Sequence, residues 1–424
     1  MRARCLARLL LLAAGVVACS FATRPGLAGA ATQPGLAGAA TRPGLARAAT
    51  RPGLARAAQA PPQVRIAGGW QTVFDWATQA CAPTEGPDLP ARAFRDYRGR
   101  VQLLLSHYVN FRLVGPSLER LHRDCRPVLR SPQSAAPSLF EDREWIASLF
   151  TTDGRDVWAL VDEEYQGNRH PGSCPGRSYF QCWYNAVTLV RSTNGGRTYV
   201  RPPAPRQLVA ASPERFRPGR EPVGVFTPSN IVTGPDGARY ALVRVRNPDG
   251  TRGVCLLRAR QPGSPTSWRA WTGSGFAGRF ADPYGSPLSS SEAPCAQVGR
   301  GAIAEMTESL TYNTVLHRYL LVGLAPPGPE SVGAKVTGIY FSTSTDLVDW
   351  TPRQLIAPAV TVQGYACGGS LPIAYPSVID PRSRSRTYAT SGRSPFLYFT
   401  QFDYSGCRRT EQRNLIRVPL EVSG

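Results

Sequence analysis

Lysine is almost absent from this 424-residue chain: Lys335 is the only one, so nearly all of the 49 basic side chains are arginine. A groove that tracks a phosphate backbone usually mixes lysine with arginine and sets aromatics among them on one element. Neither pattern occurs, so the formal charge of +20 reads as a bias of base composition and nucleic acid is excluded as a partner. Histidine is scarce too. His107, His122, His170 and His317 show no ligand spacing and no Cys-x-x-Cys occurs, which speaks against a structural zinc site. The long amphipathic periods of an α/β enzyme are missing. The one extended apolar run, Leu9 to Ala18, is too short to stay in a bilayer as a spanning helix. Acidic residues are absent from positions 1–65, which hold nine basic ones; removing those nine from +20 leaves +11 for the rest.

That apolar run follows Arg2, Arg4 and Arg8, the order of a secretion signal, here assigned to residues 1–21. Its end, Val16-Val17-Ala18-Cys19, supports two readings. In one it is a lipobox, with Cys19 taking a diacylglycerol and anchoring the chain in a membrane; in the other, a signal peptidase cuts at a small residue within Ala18 to Ala31. Four copies of Ala-Thr-Arg/Gln-Pro-Gly-Leu-Ala-Gly/Arg-Ala then fill residues 22–57. A unit with Pro beside Gly and one Leu has no face to bury, so residues 22–63 form a linker. Its arginines suit an anionic wall polymer or lipid headgroups.

Residues 64–424 remain as one folded domain. Eight of the ten cysteines lie there, an even number in an exported chain, which implies disulfides. Only the close pair Cys174 and Cys182 has a spacing that supports a specific bond.

Short β-branched and aromatic runs dominate this domain and three match in register: Val157 to Val161, Arg239 to Val243 and Arg318 to Val322, with aromatics 82 and 79 residues apart. Each follows a turn and an earlier strand, at Trp145 to Phe150, Ser229 to Thr233 and Ser309 to Asn313. Ser192-Thr-Asn194-Gly-Gly196-Arg-Thr198-Tyr199 has the Ser-x-Asp-x-Gly-x-Thr-Trp spacing of an Asp box, with Asn and Tyr substituted. Ser344-Thr-Asp346-Leu-Val-Asp-Trp350 is a shorter form, and Ser267-Trp268-Arg-Ala-Trp271 a looser one. In such a hairpin Ser and Asp bond nearby amides while the aromatic fills the gap between sheets. Tyr240 to Trp271 and Tyr319 to Trp350 both span 31 residues. Repeats of this size imply an all-β fold, a five-bladed β-propeller, with Val101 to Leu105 in the first unit and Tyr375 to Val422 in the last.

These motifs resemble those of five-bladed glycoside hydrolases of the arabinanase, xylosidase and invertase type, and the Asp-box turn is similar to that of sialidases. The resemblance covers roughly residues 95–424 and implies an extracellular, monomeric enzyme acting on a polysaccharide or cell-wall glycan with two carboxyls and no cofactor; nothing indicates a Ca²⁺ ion in the channel. It departs from those families in two places. Thr227 stands where a catalytic Asp would precede Pro, and Asp282-Pro283 lies in a loop between units; the sialidase Arg-Ile-Pro signature is missing. The blade register places strand starts and second-strand ends around one mouth. That puts Asp162 and Glu164 opposite Glu305 and Glu308 as catalytic candidates, with Glu164 foremost. His107, Asn110, Glu144, Asn230, Arg244 and Tyr375 fall on the same rim as substrate-binding candidates. The insert from Gln166 to Tyr184 adds His170 and Trp183, an aromatic flap on which sugar rings could stack. A non-catalytic carbohydrate- or wall-binding propeller is the alternative.

Metabolic labelling with a palmitate analogue separates the two readings of the signal. The lipobox reading expects label on the wild type and none on Cys19→Ala; equal labelling of both removes the lipid anchor.

Overall fold

The computed structural model describes residues 60–285 and 295–424; Cys19 and the nonapeptide repeats lie outside them. Ala58–Gly424 forms one compact unit. It is nearly all β: the only α-helix among the described residues is the four-residue turn Trp76–Gln79, and no described helix is long and apolar enough to cross a membrane.

The strands group into antiparallel meanders. The first comprises Arg92–Arg95, Val101–Leu105, Val109–Ser117 and Arg120–Arg130. The second comprises Arg143–Phe150, Val157–Gln166, Trp183–Ser192 and Leu208–Ala211. The third runs through Val232–Thr233, Arg239–Arg246, Arg252–Ala259 and Arg269–Ala270. The short strand Val223–Phe226 joins the second to the third, parallel to one and antiparallel to the other. The fourth comprises Ser309–Asn313, Arg318–Ala325, Gly338–Ser344 and Gln354–Pro358. The fifth takes Ile373–Ile379, Phe396–Ser405 and Arg408–Ser423, and its outer edge comes from the other end of the domain, where Gln63–Ile66 and Gln71–Phe74 pair along Arg408–Ser423.

The three matched runs of the sequence are the second strands of meanders two, three and four. Val101–Leu105, expected in the first unit, is its second strand; the inner strand Arg92–Arg95 goes unseen in the sequence because its charged ends hide it from a hydrophobic pattern. Ser229 to Thr233 shrinks to Val232–Thr233: the Ser229 hydroxyl takes the place of its carbonyl in accepting from Leu242 N at 2.9 Å, and just before it the chain turns at Thr227, with φ 41°. For a β-branched residue that is a strained conformation.

The Asp-box turns form as their spacing predicts. Ser192 Oγ accepts from Gly196 N at 2.9 Å and Asn194 Oδ1 from Arg197 N and Thr198 N at 3.1 Å, while Tyr199 is buried. Ser344 Oγ accepts from Leu347 N at 2.8 Å, and Asp346 Oδ1 from Asp349 N at 2.8 Å. Trp350 then packs against Leu242, Leu256 and Leu321.

Apolar side chains fill each interface between successive meanders. Phe94 and Val161 belong to the first and second, Leu189 and Val243 to the second and third, Leu256 and Leu321 to the third and fourth. Val322 and Phe399 link the fourth and fifth, and Tyr398 and Leu103 the fifth and first. Burial of this kind stabilises by roughly 1.5–3 kcal/mol per large side chain.

Polar bonds repeat the same cycle around the inner strands. Ser106 Oγ donates to Ile146 O at 2.6 Å, and Ser148 Oγ donates to Ser229 O. Asn230 Oδ1 accepts from Leu310 N at 3.1 Å, Ser309 Oγ accepts from Val378 N at 2.8 Å, and Ser377 Oγ donates to Ala91 O at 2.7 Å. At the centre lies Arg92, 2% exposed. Its guanidinium donates to Ala147 O at 2.6 Å, Glu308 O at 2.7 Å, Ser377 Oγ at 3.1 Å and Pro228 O at 3.4 Å. One side chain of the first meander thus reaches the other four. Burial lowers its pKa to about 9, with the Glu308 carboxylate opposing, so it stays charged at neutral pH.

Four disulfides join Cys81 to Cys125, Cys174 to Cys182, Cys255 to Cys295 and Cys367 to Cys407. The expected Cys174–Cys182 bond is among them, and the set points to an oxidising compartment.

Replacing Arg92 by Leu strands buried carbonyls of several meanders at once, and the loss should be about 3–5 kcal/mol in urea denaturation. Arg92→Lys keeps the charge but offers three donors in place of five, so an intermediate loss is expected. A Leu variant as stable as wild type would deny the hub its role.

Candidate functional site

The ends of the inner strands, the ends of the second strands and the flap meet on one face. Asp88, in the approach to Arg92–Arg95, accepts from Tyr375 Oη at 3.1 Å and pairs with Arg413 Nη1 at 2.8 Å; His107 Nε2 lies 3.5 Å away. Burial pushes the Asp88 carboxyl up, but Arg413 chiefly, then His107 and the Tyr375 bond, outweigh it and hold the group below the usual carboxylate range. Burial also lowers His107 to about 4, against the pull of Asp88. At neutral pH the imidazole is therefore uncharged, and its contact with Asp88 is not an ion pair.

On the second meander Asp162 and Glu164 alternate with Glu163, so the first two share a face. Asp162 Oδ1 accepts from Asn185 Nδ2 at 2.9 Å and from Thr227 N at 3.2 Å. Burial raises it to about 6. Glu164 Oε2 accepts from Gln166 Nε2 at 2.8 Å and from Tyr179 Oη at 3.3 Å. Burial, then the negative charge of Asp162, lifts Glu164 well above an ordinary glutamate, and Asp88 adds to the same effect. Tyr179 belongs to the flap, so the loop between Gln166 and Trp183 reaches over this acid.

At the start of the fourth meander, Glu308 accepts from Thr307 N at 3.0 Å and from Leu324 N at 3.4 Å. Burial raises it, partly offset by Arg244. Glu305 stands 4.0 Å from Arg244 Nε and 3.6 Å from Arg246 Nη2. Arg244 also offsets the rise at Asp162. Asp88, Glu164, Asp162, Arg244 and Glu308 form one chain of electrostatic neighbours across four meanders. Tyr375, at φ 59°, is a second strained residue on this rim.

His107, Asp162, Glu164, Arg244, Glu305, Glu308 and Tyr375 all take part in this network of contacts and electrostatic neighbours. Four candidates do not. Glu144 is fully buried in an ion pair with Arg201, whose Nε lies at 3.0 Å. Asn110 spends its amide on Glu144 O at 2.7 Å and Ile146 N at 2.9 Å, and Asn230 spends its oxygen on Leu310 N. Both stitch inner strands. His170 Nε2 meets Asp142 Oδ2 at 3.0 Å and stacks on Tyr165, which fastens the base of the flap. Trp183 packs 5.0 Å from Tyr179 and 5.8 Å from Phe226 by ring centroids.

Asp88, Arg413 and Tyr179 escape the sequence reading. Asp88-Leu89-Pro90 precedes a strand too short and charged to register. Arg413 is one of many arginines in a long third strand. Tyr179 lies in the flap, but nothing in its spacing ties it to Glu164. Among the described residues, no group of three or more His, Cys, Asp or Glu is placed to hold a metal.

No family model matches the chain, and no curated protein does. Among solved structures it is similar to a protein of unknown function from Dyadobacter fermentans, at 11% identity and a TM-score of 0.44 over 84% of this chain and 99% of that one. It is also similar to an endo-arabinase from Bacteroides thetaiotaomicron, at 8% and 0.42 over 82% and 97%. A GH43_1 enzyme from Xanthomonas citri is similar at 14% and 0.43 over 82% and 92%. Likenesses this distant say nothing about which residues act.

Asp162 gives stability a measurable slope. Its folded pKa of about 6 exceeds the ordinary aspartate value of 3.8, so the native state holds the proton more tightly and stability falls as pH rises from about 4 to about 6. Asp162→Asn should flatten that fall by on the order of 2 kcal/mol, read from urea midpoints at pH 4 and pH 7. Unchanged slopes would mean that Asp162 is not held toward its neutral form.

Proposed function

We propose that the chain is an exported five-bladed β-propeller that hydrolyses glycosidic bonds of an extracellular polysaccharide. The observation that carries this reading is a pair of carboxyls on one rim driven in opposite directions: Glu164 toward its protonated form, Asp88 toward its ionised form. Glycoside cleavage requires that division, one group to protonate the leaving oxygen and one to act as base or nucleophile. Glu164 is the general acid. Asp88 takes the second role, which Glu308 and Glu305 fill less well: Glu308 is buried toward neutrality, and Glu305 stands farther out beside two arginines. The five closed meanders support the propeller reading, and the four disulfides support export, with residues 22–63 as the tether.

A glycan-binding propeller without catalysis is the second reading. The 2.8 Å contact between Arg413 and Asp88 favours it, since a carboxylate already paired is a weaker base. Both readings place sugar on the same face and differ in turnover.

Glu164→Gln and Asp88→Asn, assayed on cell-wall and plant polysaccharides, should each lose roughly 10²–10⁴-fold in kcat, with Glu164→Gln melting close to wild type. The wild-type rate should rise with pH through the depressed pKa of Asp88 and fall again above the ordinary glutamate range as Glu164 ionises. Binding without turnover would leave the glycan-binding reading; full activity in both variants would remove these residues from the chemistry.

A further inference from the structure

One wall of the mouth carries two arginines whose Nε groups have no hydrogen-bond acceptor among the described residues. Arg244 and Arg246 alternate on one strand, so they share a face, and both guanidinium carbons lie 5.5 Å from the centre of the buried Phe226 ring. Their only ion-pair partner among the described residues is Glu305, at 4.0 and 3.6 Å. Arg112 and Asp124 show what a satisfied pair looks like in this protein, with two hydrogen bonds at 3.0 and 2.7 Å to one carboxylate oxygen. The Nε groups of Arg244 and Arg246 are buried and have no acceptor. So has the indole nitrogen of Trp183, whose ring packs against the same Phe226. Buried donors without acceptors are rare, because each forfeits its hydration for nothing. The Nε groups of Arg353 and Arg413 are left in the same way, but here three such donors gather around one ring, which marks a place where an acceptor belongs.

The surroundings narrow the chemistry of that acceptor. Asp162 and Glu308 feel the charge of Arg244, but neither forms an ion pair with it among the described residues. Trp183 also borders a crevice lined by Arg215, Arg217 and Arg220 together with Glu214 and Glu221, and the loop that carries them is tied to the flap by Gly219 N donating to Gln181 O at 2.7 Å. Among the described residues Arg220 pairs with Glu214 at 2.8 Å, and Arg215 and Arg217 have no ion-pair partner. The flap itself presents Phe180, half exposed, beside Tyr179 and Trp183, apolar ring faces of the kind that suit a sugar. A ligand that meets both features has sugar rings and a negative charge, and a planar carboxylate matches the fork of a guanidinium with two bonds.

We infer that Arg244 and Arg246, with the Trp183 indole, form an anion subsite for the carboxylate of a uronic acid, so that the glycan bound at this mouth is acidic. The inference rests on the proposal that the mouth binds glycan, and deepens it by naming the substrate class. Glu305 occupies the subsite loosely in the free protein and is displaced when the sugar carboxylate arrives.

Calorimetric titration of the folded chain with oligomers of galacturonate, glucuronate and mannuronate, each beside its methyl ester, tests this. The ester keeps the sugar and removes the charge. At least one free acid should bind tenfold or more tightly than its ester, and added salt should shrink the preference. Arg246→Gln should bring it below threefold, with an unchanged melting temperature as the folding control, and Arg246→Lys should retain part of it. Sulfated xylan is a further arm: tighter binding of the sulfate than of every uronate would assign the subsite to sulfate esters and overturn the carboxylate. Equal affinity for acid and ester throughout, no binding of any acid, or a preference that survives Arg246→Gln would each overturn the inference. Turnover is measured separately. Cleavage of neutral glycans with no acid preference leaves the hydrolase reading and ends this one; acid preference without cleavage does the reverse.

Discussion

The whole arrangement turns on Arg92. A guanidinium this deeply buried has no carboxylate at hydrogen-bond distance; its charge is solvated by backbone carbonyls and a hydroxyl drawn from each meander in turn. Isolated buried charge is costly, and here five donors in a rigid fork meet acceptors that the strands supply anyway. Around it the Ser and Asn side chains of the inner strands bond each meander to the next. The five hydrophobic interfaces supply most of the stabilisation, but they are not directional. The hub and its ring fix how the strand ends are rotated, and so where the rim residues stand.

Rim chemistry follows from that geometry. Two carboxyls of similar intrinsic acidity are separated by their neighbours: Arg413 holds Asp88 ionised, while Glu164 is surrounded by burial, a tyrosine and another acid. The strained backbone at Thr227 and Tyr375 sits on the same rim. Thr227 offers its amide to Asp162, and Tyr375 its hydroxyl to Asp88, so each unusual conformation is spent on orienting a carboxylate. The disulfide between Cys174 and Cys182 closes the flap that carries Tyr179 toward Glu164. Cys367–Cys407 constrains a second loop, where Tyr365 and Tyr404 lie 4.0 Å apart by ring centroids.

Much of the architecture is legible in the chain alone, because the signals are local. The Asp-box turns depend on bonds between residues two to four apart, such as Ser192 with Gly196 and Ser344 with Leu347, and the second strands of three meanders repeat an apolar pattern that needs no partner to be seen. Flap, close cysteine pair and the rim position of Glu164 follow from that register. What the tertiary structure alone decided involves distance and burial. Arg92 and Glu308 are 216 residues apart, and the outer strand of the last meander comes from the start of the domain. No spacing encodes such closures. Asn110 and Glu144 look like rim residues in register, yet side-chain direction turns one to the backbone and the other to Arg201. Asp88 is one acid among many in the sequence; only the fold places Arg413 and Tyr375 beside it, and a carboxylate takes its acidity from the neighbours that folding brings, not from its place in the chain.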